Sequence, residues 1–377
     1  MVIYIHAKNR GVIKMSGLLL KGVSKRYGNG INAVSNFNLE LAKGELTVLA
    51  GPKGSGKSTI LNIICGLETA DEGEIIIDQQ NCAGLAPKER GVCVVFPSHT
   101  FYPGHTVYEN LEFSLKLVKC QKAERRERIM KTVEALGIAD TLEKLPEELT
   151  PAQSFEAILA RAVVREPKII LIDEPFPDIP TEEQELFWQA MVDLNKKFRH
   201  TMIVATNNPE QALAIKARTV VLKNGYIQQI DAVDRICENP ANVYVAQFIN
   251  RFNMTTAEAV LSENEAGGLS LLIDKVSAEI PVIAPENKKL SSYIGREVTV
   301  GIRRSLLVPK KNAEQGIKGK IDEVTEENGV RKGMFKSKLF DAEITLDDTM
   351  KKGDKVALQA VEGSIFIFDR DTGKTIL

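Results

Sequence analysis

The stretch "GPKGSGKST" (residues 51–59) combines glycines, a lysine and hydroxyl groups at the spacing of a phosphate-binding loop. It lies between the apolar run "LTVLA" and the helical pattern "STILNIICGL", which is the strand–loop–helix context that such a loop requires. Glycines let the backbone wrap around an anion, and Lys57 places a positive charge against the β- and γ-phosphates. Ser58 offers a hydroxyl to Mg²⁺. The predicted nucleotide-binding residues of this loop are Gly51, Pro52, Lys53, Gly54, Ser55, Gly56, Lys57, Ser58 and Thr59.

An acidic pair follows a second apolar run, "IILIDEP". A phosphate-binding loop needs an acidic partner on a neighbouring strand, and Asp173 at the end of this run would hold Mg²⁺ through water. Glu174 would polarise the attacking water, so it is the predicted catalytic residue. The alternative is an acidic turn that only ends the strand.

The elements around these residues alternate between buried strands and helices. The short runs "LTVLA", "IILI", "MIVA" and "TVVL" are almost continuously apolar, as in strands that are buried on both faces. Helical patterns such as "EEQELFWQAMVDLNKKF" lie between them. This order predicts an α/β domain around a largely parallel sheet.

The pattern changes after about residue 250. Short, mostly alternating runs separated by Gly, Asp and Asn predict a small antiparallel barrel or sandwich. The runs are "EVTVGIRR", "GKIDEVTEE", "MFKSKLF", "DAEITL", "DKVALQAV" and "SIFIFDR". The segment "ENPANVYVAQFINRFN" is expected to link the two domains.

The composition excludes several classes of protein. The 377 residues are 44% hydrophobic and 26% charged, which suits two soluble domains. The net charge of −1, without a long basic block, argues against nucleic acid as a partner. The five cysteines have neither zinc nor disulfide-framework spacing, and no apolar run reaches the ~18 residues of a membrane span. The pattern begins near Leu18, and we expect residues 1–14 to be a disordered extension.

Several segments, taken in order, resemble one family. These segments are "KGVSKRYGNG", the phosphate-binding loop, "FYPGHTVYENL", "LARAVVREPKIILIDEP", "PANVYVAQFI" and "VTVGIRR". The chain is similar in them to the ATP-binding cassette (ABC) subunits of bacterial importers of the maltose and glycerol-phosphate type. The resemblance implies a P-loop NTPase cassette over residues 15–235, with a helical subdomain inserted at about 98–150. It also implies a linker and an OB-like (TOBE) β regulatory domain over residues 236–377, and Tyr27 stacked on adenine.

Four motifs depart from the family pattern, each at the expected spacing. Pro97 stands where the family has a glutamine that reaches the metal, and "LTPAQ" replaces the signature L-S-G-G-Q through Thr150, Pro151 and Ala152. Pro180 replaces an aspartate, and Asn207 replaces the histidine that contacts the γ-phosphate. His99, two residues beyond Pro97, is a candidate for a partial substitute, and the alternative is a structural or solvated histidine.

The replacements preserve local folding. Thr150, Pro151 and Gln153 form the pattern of a helix capping box with proline at the first helical position. Asn208 followed by Pro209 predicts another helix start. Because Pro151 has no N–H to donate to a nucleotide held by the opposing cassette, we expect ATP binding with weak hydrolysis.

The resemblance implies ATP and Mg²⁺ as ligands and a location on the inner face of the cell membrane. The implied partners are two permease subunits docked through about residues 98–149, a second cassette (intact or a copy of this chain), and indirectly a solute-binding protein. The solute would be a carbohydrate or a related compound. An alternative function is an ATP-sensing regulator outside transport. A P-loop phosphotransferase would need an acceptor-binding or lid motif, which the sequence lacks.

Overall fold

The computed structural model describes most of the chain in nine ranges. They are residues 16–28, 30–96, 101–174, 181–250, 253–264, 268–273, 278–282, 288–327 and 330–377. The chain divides into two compact units, Met1–Ala232 and Val233–Leu377. All five cysteines are free thiols. Within the described residues, no helix combines the length and apolar character needed to cross a bilayer.

The first unit begins with strands and ends with a hairpin. Its strands are β1 Ser16–Arg26, β2 Asn32–Ala42, β3 Leu46–Ala50, β4 Glu72–Ile77, β5 Gln80–Asn81, β6 Val92–Val95, β7 Ile169–Asp173, β8 Thr201–Thr206, β9 Arg218–Lys223 and β10 Tyr226–Ala232. Its helices are α1 Lys57–Cys65, α2 Val107–Leu117, α3 Lys122–Leu136, α4 Pro151–Val163, α5 Thr181–Phe198 and α6 Pro209–Ile215. Short 3₁₀ turns lie at Pro87–Glu89, Ala139–Thr141 and Pro146–Glu148.

Two sheets organise this unit. A six-stranded sheet has the order β10-β9-β3-β8-β7-β6, and all its pairings are parallel except that of β10 with β9. The four apolar runs of the sequence are its strands β3, β7, β8 and β9, so the predicted parallel sheet is confirmed. The second sheet, in the order β2-β1-β4-β5, is antiparallel.

Helix α1 is buried between these two sheets. Its residues Ile60, Leu61, Ile63 and Ile64 share one hydrophobic core with Leu18 and Leu20 of the antiparallel sheet and with Leu49 and Leu171 of the parallel sheet. A helix that is apolar on most sides is held in position by packing against the elements around it. The helix therefore presents its N-terminus at a fixed place beside the carboxyl ends of β3 and β7.

Helices α2, α3 and α4 form a separate layer with its own core. Val107, Leu111, Ile129 and Val133 of α2 and α3 pack with Ala157 and other residues of α4. Helix α2 begins with a capping box in which Thr106 accepts from the Glu109 N–H at 3.3 Å, and Glu109 Oε2 accepts from the Thr106 N–H at 2.9 Å. Helices α2 and α3 lie within residues 98–150, where the sequence predicts an inserted helical subdomain, and α4 begins directly after that range.

The second unit is mainly β-structure. Its helices are α7 Val233–Glu238, α8 Val243–Ile249 and α9 Lys288–Ser291. Its strands are β11 Met254–Glu263, β12 Leu269–Ile273, β13 Ala278–Pro281, β14 Glu297–Arg303, β15 Val308–Lys311, β16 Ile317–Glu327, β17 Val330–Lys336, β18 Asp341–Thr345, β19 Lys355–Gln359 and β20 Ile365–Asp369. A 3₁₀ turn spans Arg304–Leu306.

These strands form two five-stranded antiparallel sheets around one hydrophobic core. Their orders are β13-β12-β11-β14-β20 and β15-β19-β16-β17-β18. Inward residues from both sheets, such as Leu261, Val300, Ile321 and Phe335, are fully buried in that core. The predicted all-β C-terminal region is thus confirmed, and β11, β12, β13 and β15 are strands that the sequence pattern did not mark.

Candidate functional site

The loop between β3 and α1 is held by backbone contacts that only glycine tolerates. The Gly51 N–H donates to the Thr206 carbonyl at 3.1 Å, and the Ser55 N–H closes a turn onto the Pro52 carbonyl at 3.1 Å. A Cβ on Gly51 would lie 2.7 Å from the Leu222 carbonyl oxygen, and one on Gly56 would overlap the Ala33 carbonyl. Gly56 also has a φ of 103°. The glycines at these two positions are therefore required for the loop to pack against its neighbours.

Lys57 is the most buried charged side chain of this loop. It is only 4% exposed, and its ammonium donates to the Gly51 carbonyl at 2.7 Å and the Pro52 carbonyl at 3.1 Å. Its Nζ lies 3.5 Å from Oε1 of Glu174. Burial lowers the pKa of Lys57, and the nearby carboxylates of Glu174 and Asp173 partly oppose this effect.

Asp173 and Glu174 stand at the carboxyl end of β7, where the sequence predicts them. Asp173 is buried, and its Oδ1 has no hydrogen-bond partner among the described atoms. Glu174 has a φ of 45°, and its N–H donates to the Ala205 carbonyl of β8 at 2.9 Å. Burial, and secondarily the Asp173 charge, raises the pKa of Glu174 although Lys57 acts in the opposite direction.

Two buried oxygens favour a bound phosphate and cation at this loop. Asp173 Oδ1 and Ser55 Oγ are both buried without a hydrogen-bond partner among the described residues, and such groups are costly unless something else binds them. The first turn of α1 contains no acidic residue that would repel an anion. Ser58, at the second position of α1, is exposed and offers its hydroxyl. The donor set of a hydroxyl and a carboxylate is one that Mg²⁺ uses together with nucleotide phosphates.

Tyr27 lies beside the same loop. It follows β1, is 36% exposed, and its hydroxyl is 3.3 Å from Oγ1 of Thr59 in α1. The ammonium of Lys25 lies 5.7 Å from the centroid of the tyrosine ring. The structure therefore brings Tyr27 and the acidic pair to the same loop, although the acidic pair lies more than a hundred residues after that loop in sequence.

The predicted capping box at the start of α4 is present. Thr150 Oγ1 accepts from the Gln153 N–H at 3.2 Å, and Gln153 Oε1 accepts from the Thr150 N–H at 3.3 Å. Pro151 is the first helical residue and Ala152 the second. The N–H groups of Thr150 and Gln153 are thus bonded within the segment itself. Pro151 has no N–H that a ligand could accept.

The other departures from the family pattern are only partly described. Asn207 is exposed in the turn between β8 and α6, directly after the Thr206 carbonyl that accepts from Gly51. Asn208 caps α6 as predicted, because its Oδ1 accepts from the Glu210 N–H at 3.0 Å. Pro97, His99 and Pro180 lie outside the described residues.

The sequence did not predict the role of Gly225 in supporting the loop. Asn224 and Gly225 form the tight turn between β9 and β10, with φ values of 49° and 80°. The Gly225 N–H donates to the Ser55 carbonyl at 3.0 Å, and its own carbonyl accepts from Ser35 at 3.0 Å. The Asn-Gly pair between two apolar runs indicates a hairpin. The contact with the phosphate-binding loop depends on tertiary structure and has no sequence signal.

Comparison with known proteins identifies the family. Residues 34–177 match the family described as "ABC transporter". The chain is 30% identical over 365 residues to the sn-glycerol-3-phosphate import ATP-binding protein UgpC of Chromobacterium violaceum, and the match covers 96% of each chain. The chain belongs to the ABC transporter family.

Further comparisons agree with this ABC transporter assignment. The oligosaccharides import ATP-binding protein MsmX of Bacillus subtilis is 34% identical over 317 residues, which cover 82% of this chain and 84% of MsmX. The structure of CbiO1 from Clostridium perfringens, part of the ABC transporter complex CbiONQ, has a TM-score of 0.54 at 22% identity. It covers 59% of this chain and 94% of CbiO1, and it shows the shared fold. Membership of the ABC transporter family implies nucleotide binding.

Proposed function

We propose that this chain is the ATP-binding subunit of an ABC importer for a sugar, a sugar phosphate or a related polyol. The relatives UgpC and MsmX are import ATP-binding proteins for sn-glycerol-3-phosphate and oligosaccharides. The match to UgpC extends over nearly the whole chain, including the β unit. An ATP sensor outside transport is not favoured, because both relatives are import proteins.

We infer that the site binds Mg-ATP through residues whose positions are described above. Lys57 and the N-terminus of α1 would hold the phosphates, and Tyr27 would stack on the base. Ser58 and Asp173 would hold Mg²⁺, which when bound neutralises charge on the phosphate oxygens. Glu174 would accept a proton from the attacking water, and its raised pKa brings it closer to the operating pH.

We propose that this chain alone hydrolyses ATP slowly. The observation that carries the proposal is the capping box at Thr150, which uses the signature position to start a helix at Pro151. The sequence also has Pro97, Pro180 and Asn207 at positions that would act on phosphate or across a dimer interface. Because losing a single preorganised donor typically costs about 10²–10³ in rate, an intact second cassette would be needed for normal turnover.

The helical layer offers a surface for the proposed permease partner. Tyr102, Phe113 and Leu117 are exposed, and the rings of Tyr102 and Phe113 lie 4.5 Å apart, edge to face. They adjoin a cavity of about 490 Å³ that is also lined by Phe101 and Arg161. Exposed apolar groups around a concave site favour a protein partner. This surface lies within the segment that the resemblance assigns to permease docking.

The experiment that tests nucleotide binding compares Lys57→Ala with Lys88→Ala. Lys88 is exposed in the 3₁₀ turn Pro87–Glu89 and provides the same change in charge away from the loop. We expect the unaltered chain and the Lys88 variant to bind a fluorescent ATP analogue with Mg²⁺, and the Lys57 variant to bind at least about tenfold more weakly. Equal affinity in all three proteins would contradict the proposed site.

A further inference from the structure

One sheet of the second unit collects lysines on its outer face. In the register of β16, Lys320 stands opposite Lys355 of β19 on one side and Lys336 of β17 on the other. Lys318, two residues before Lys320 in β16, pairs with Ala357 of β19. On its other side Ala357 pairs with Lys310 of β15. All five lysines are exposed, and cross-strand partners lie on the same side of a sheet. We call Lys310, Lys318, Lys320, Lys336 and Lys355 the lysine face.

The five lysines of the face differ in whether they have an ion-pair partner. Lys336 forms an ion pair with Asp322 at 2.6 Å. Among the described residues, Lys310, Lys318, Lys320 and Lys355 form no ion pair. Like charges directly opposite each other destabilise a sheet, so the arrangement does not serve the stability of the fold. The whole chain has a net charge of −1, so the face is a local concentration of charge within a nearly neutral protein.

The spacing of the lysines matches an extended polypeptide. Alternate residues of a strand are about 6.5 Å apart, and neighbouring strands are about 4.8 Å apart. Lys318 and Lys320 therefore repeat at the distance that separates alternate side chains of an extended chain. Carboxylates at every second position of an acidic segment running along β16 would each meet a lysine, with Lys310 and Lys355 beside them.

Carboxylates on the same side of the sheet limit the width of a negatively charged partner that can bind the lysine face. Glu323, Asp341 and Glu343 are exposed on this side of β16 and β18, because Asp341 pairs with Lys336 and the two glutamates pair with Met334. A membrane or a nucleic acid duplex presents negative charge over a wider area and would be pressed against these carboxylates. The lysine face also contains no arginine or aromatic side chain, which nucleic acid recognition commonly uses.

We propose that the lysine face binds an extended acidic segment of a partner polypeptide. This interaction is independent of the nucleotide site and goes beyond the proposed transport function. Lysines are strongly hydrated point charges that contribute more to the rate and salt dependence of association than to tight burial. The contact should therefore be reversible and weaken as salt rises.

The test measures binding of a fluorescently labelled poly-glutamate peptide to the full chain by anisotropy. The variant K318E/K320E/K355E reverses three lysines of the face, and the control K88E/K131E/K197E reverses three exposed lysines of the first unit with the same change in net charge. We expect at least a tenfold loss of affinity in the first variant and less than about a twofold loss in the control. Affinity of the unaltered chain should fall as salt rises from about 50 to 200 mM.

Several outcomes would overturn the proposal. Equal losses in the two triple variants would mean that only total charge matters. Binding to phosphatidylglycerol vesicles or to a short DNA duplex that displaces the peptide and depends on the same lysines would identify a different occupant. Self-association that disappears in K318E/K320E/K355E would identify a second copy of the chain. The neutral variant K318Q/K320Q/K355Q should show an intermediate loss, and an unchanged circular dichroism spectrum and thermal unfolding curve would verify that the β unit of each variant is folded.

Discussion

At the scale of single residues, Glu174 has a carboxylate that the proposed mechanism requires, and its partial burial disfavours the charged form. Its carboxylate is partly buried beside Asp173, and its backbone has a positive φ. Residues with such backbone conformations persist where the surrounding structure holds them, and they concentrate at functional sites. The ion pair with Lys57 only partly offsets the burial, since the pKa of Glu174 remains raised.

The raised pKa of Glu174 predicts how its replacement changes stability with pH. An acid whose pKa is higher in the folded state binds its proton more tightly there, so the free energy of unfolding falls as pH rises from its ordinary value of 4.5 to the raised value. Glutamine does not ionise, so Glu174→Gln removes this fall in the free energy of unfolding. We expect the variant to be more stable than the unaltered chain near neutral pH and the difference to disappear below pH 4.5.

Urea denaturation near neutral pH and below pH 4.5 measures this difference in stability, with Glu134→Gln as the control. Glu134 is exposed on α3, so its replacement removes one negative charge without a change in burial. A variant Glu174→Gln that is less stable than the unaltered chain near neutral pH would show that the ion pair with Lys57 outweighs burial.

At the scale of elements, the phosphate-binding loop is supported by segments that are distant in sequence. The turn between β9 and β10 donates from Gly225 to the Ser55 carbonyl, and the Ala33 carbonyl of β2 lies against Gly56 and Gly225. Three separate contributions therefore determine the shape of the loop: the end of β8, the β9–β10 turn and β2. We expect changes in these elements to affect nucleotide binding although none of them carries a chemical group to the phosphates.

Gly225→Ala tests this support directly. A Cβ at this position would lie 2.8 Å from the Ala33 carbonyl oxygen, so the turn must move and its hydrogen bond to Ser55 must lengthen. We expect the affinity for an ATP analogue to fall by about tenfold. Gly84→Ala is a matched control, because Gly84 also has a left-handed backbone (φ 72°) but open space at its Cβ. Equal affinities of the two variants for the ATP analogue would show that the β9–β10 turn does not support nucleotide binding.

The elements also show what the sequence could and could not predict. Strands β3, β7, β8 and β9 are buried on both faces, so their apolar runs identified them directly. The caps at Thr150 and Asn208 followed from local hydrogen bonding between neighbouring residues. Strand β11 was missed because it is rich in Thr, Glu and Ala, and its burial pattern is partial. The ion pair of Lys57 with Glu174, the support from Gly225 and the lysine face depend on strand register and tertiary packing, which no local pattern contains.

At the scale of the whole molecule, the proposed function gives different roles to two parts of the first unit. The loop, Asp173, Glu174 and Tyr27 would bind the nucleotide. The segment at Thr150 and Pro151 forms a capped helix start in which Pro151 has no N–H to donate. In the proposed pairing with an intact cassette, this chain would contribute a nucleotide-binding surface to one site and, to the other, a signature in which Pro151 has no N–H to donate. A dimer of two copies would be impaired at both sites.

The most direct test of this account measures ATP-analogue binding and phosphate release on the same purified sample with Mg²⁺. It compares the unaltered chain with a variant in which Pro97→Gln, Thr150→Ser, Pro151→Gly, Ala152→Gly, Pro180→Asp and Asn207→His restore the family pattern. We predict similar binding by both proteins and phosphate release at least about 10²-fold slower from the unaltered chain, rescued in part by adding an intact cassette subunit. Equal and rapid phosphate release from both proteins in the absence of a partner would contradict the claim that this chain binds ATP but hydrolyses it slowly on its own.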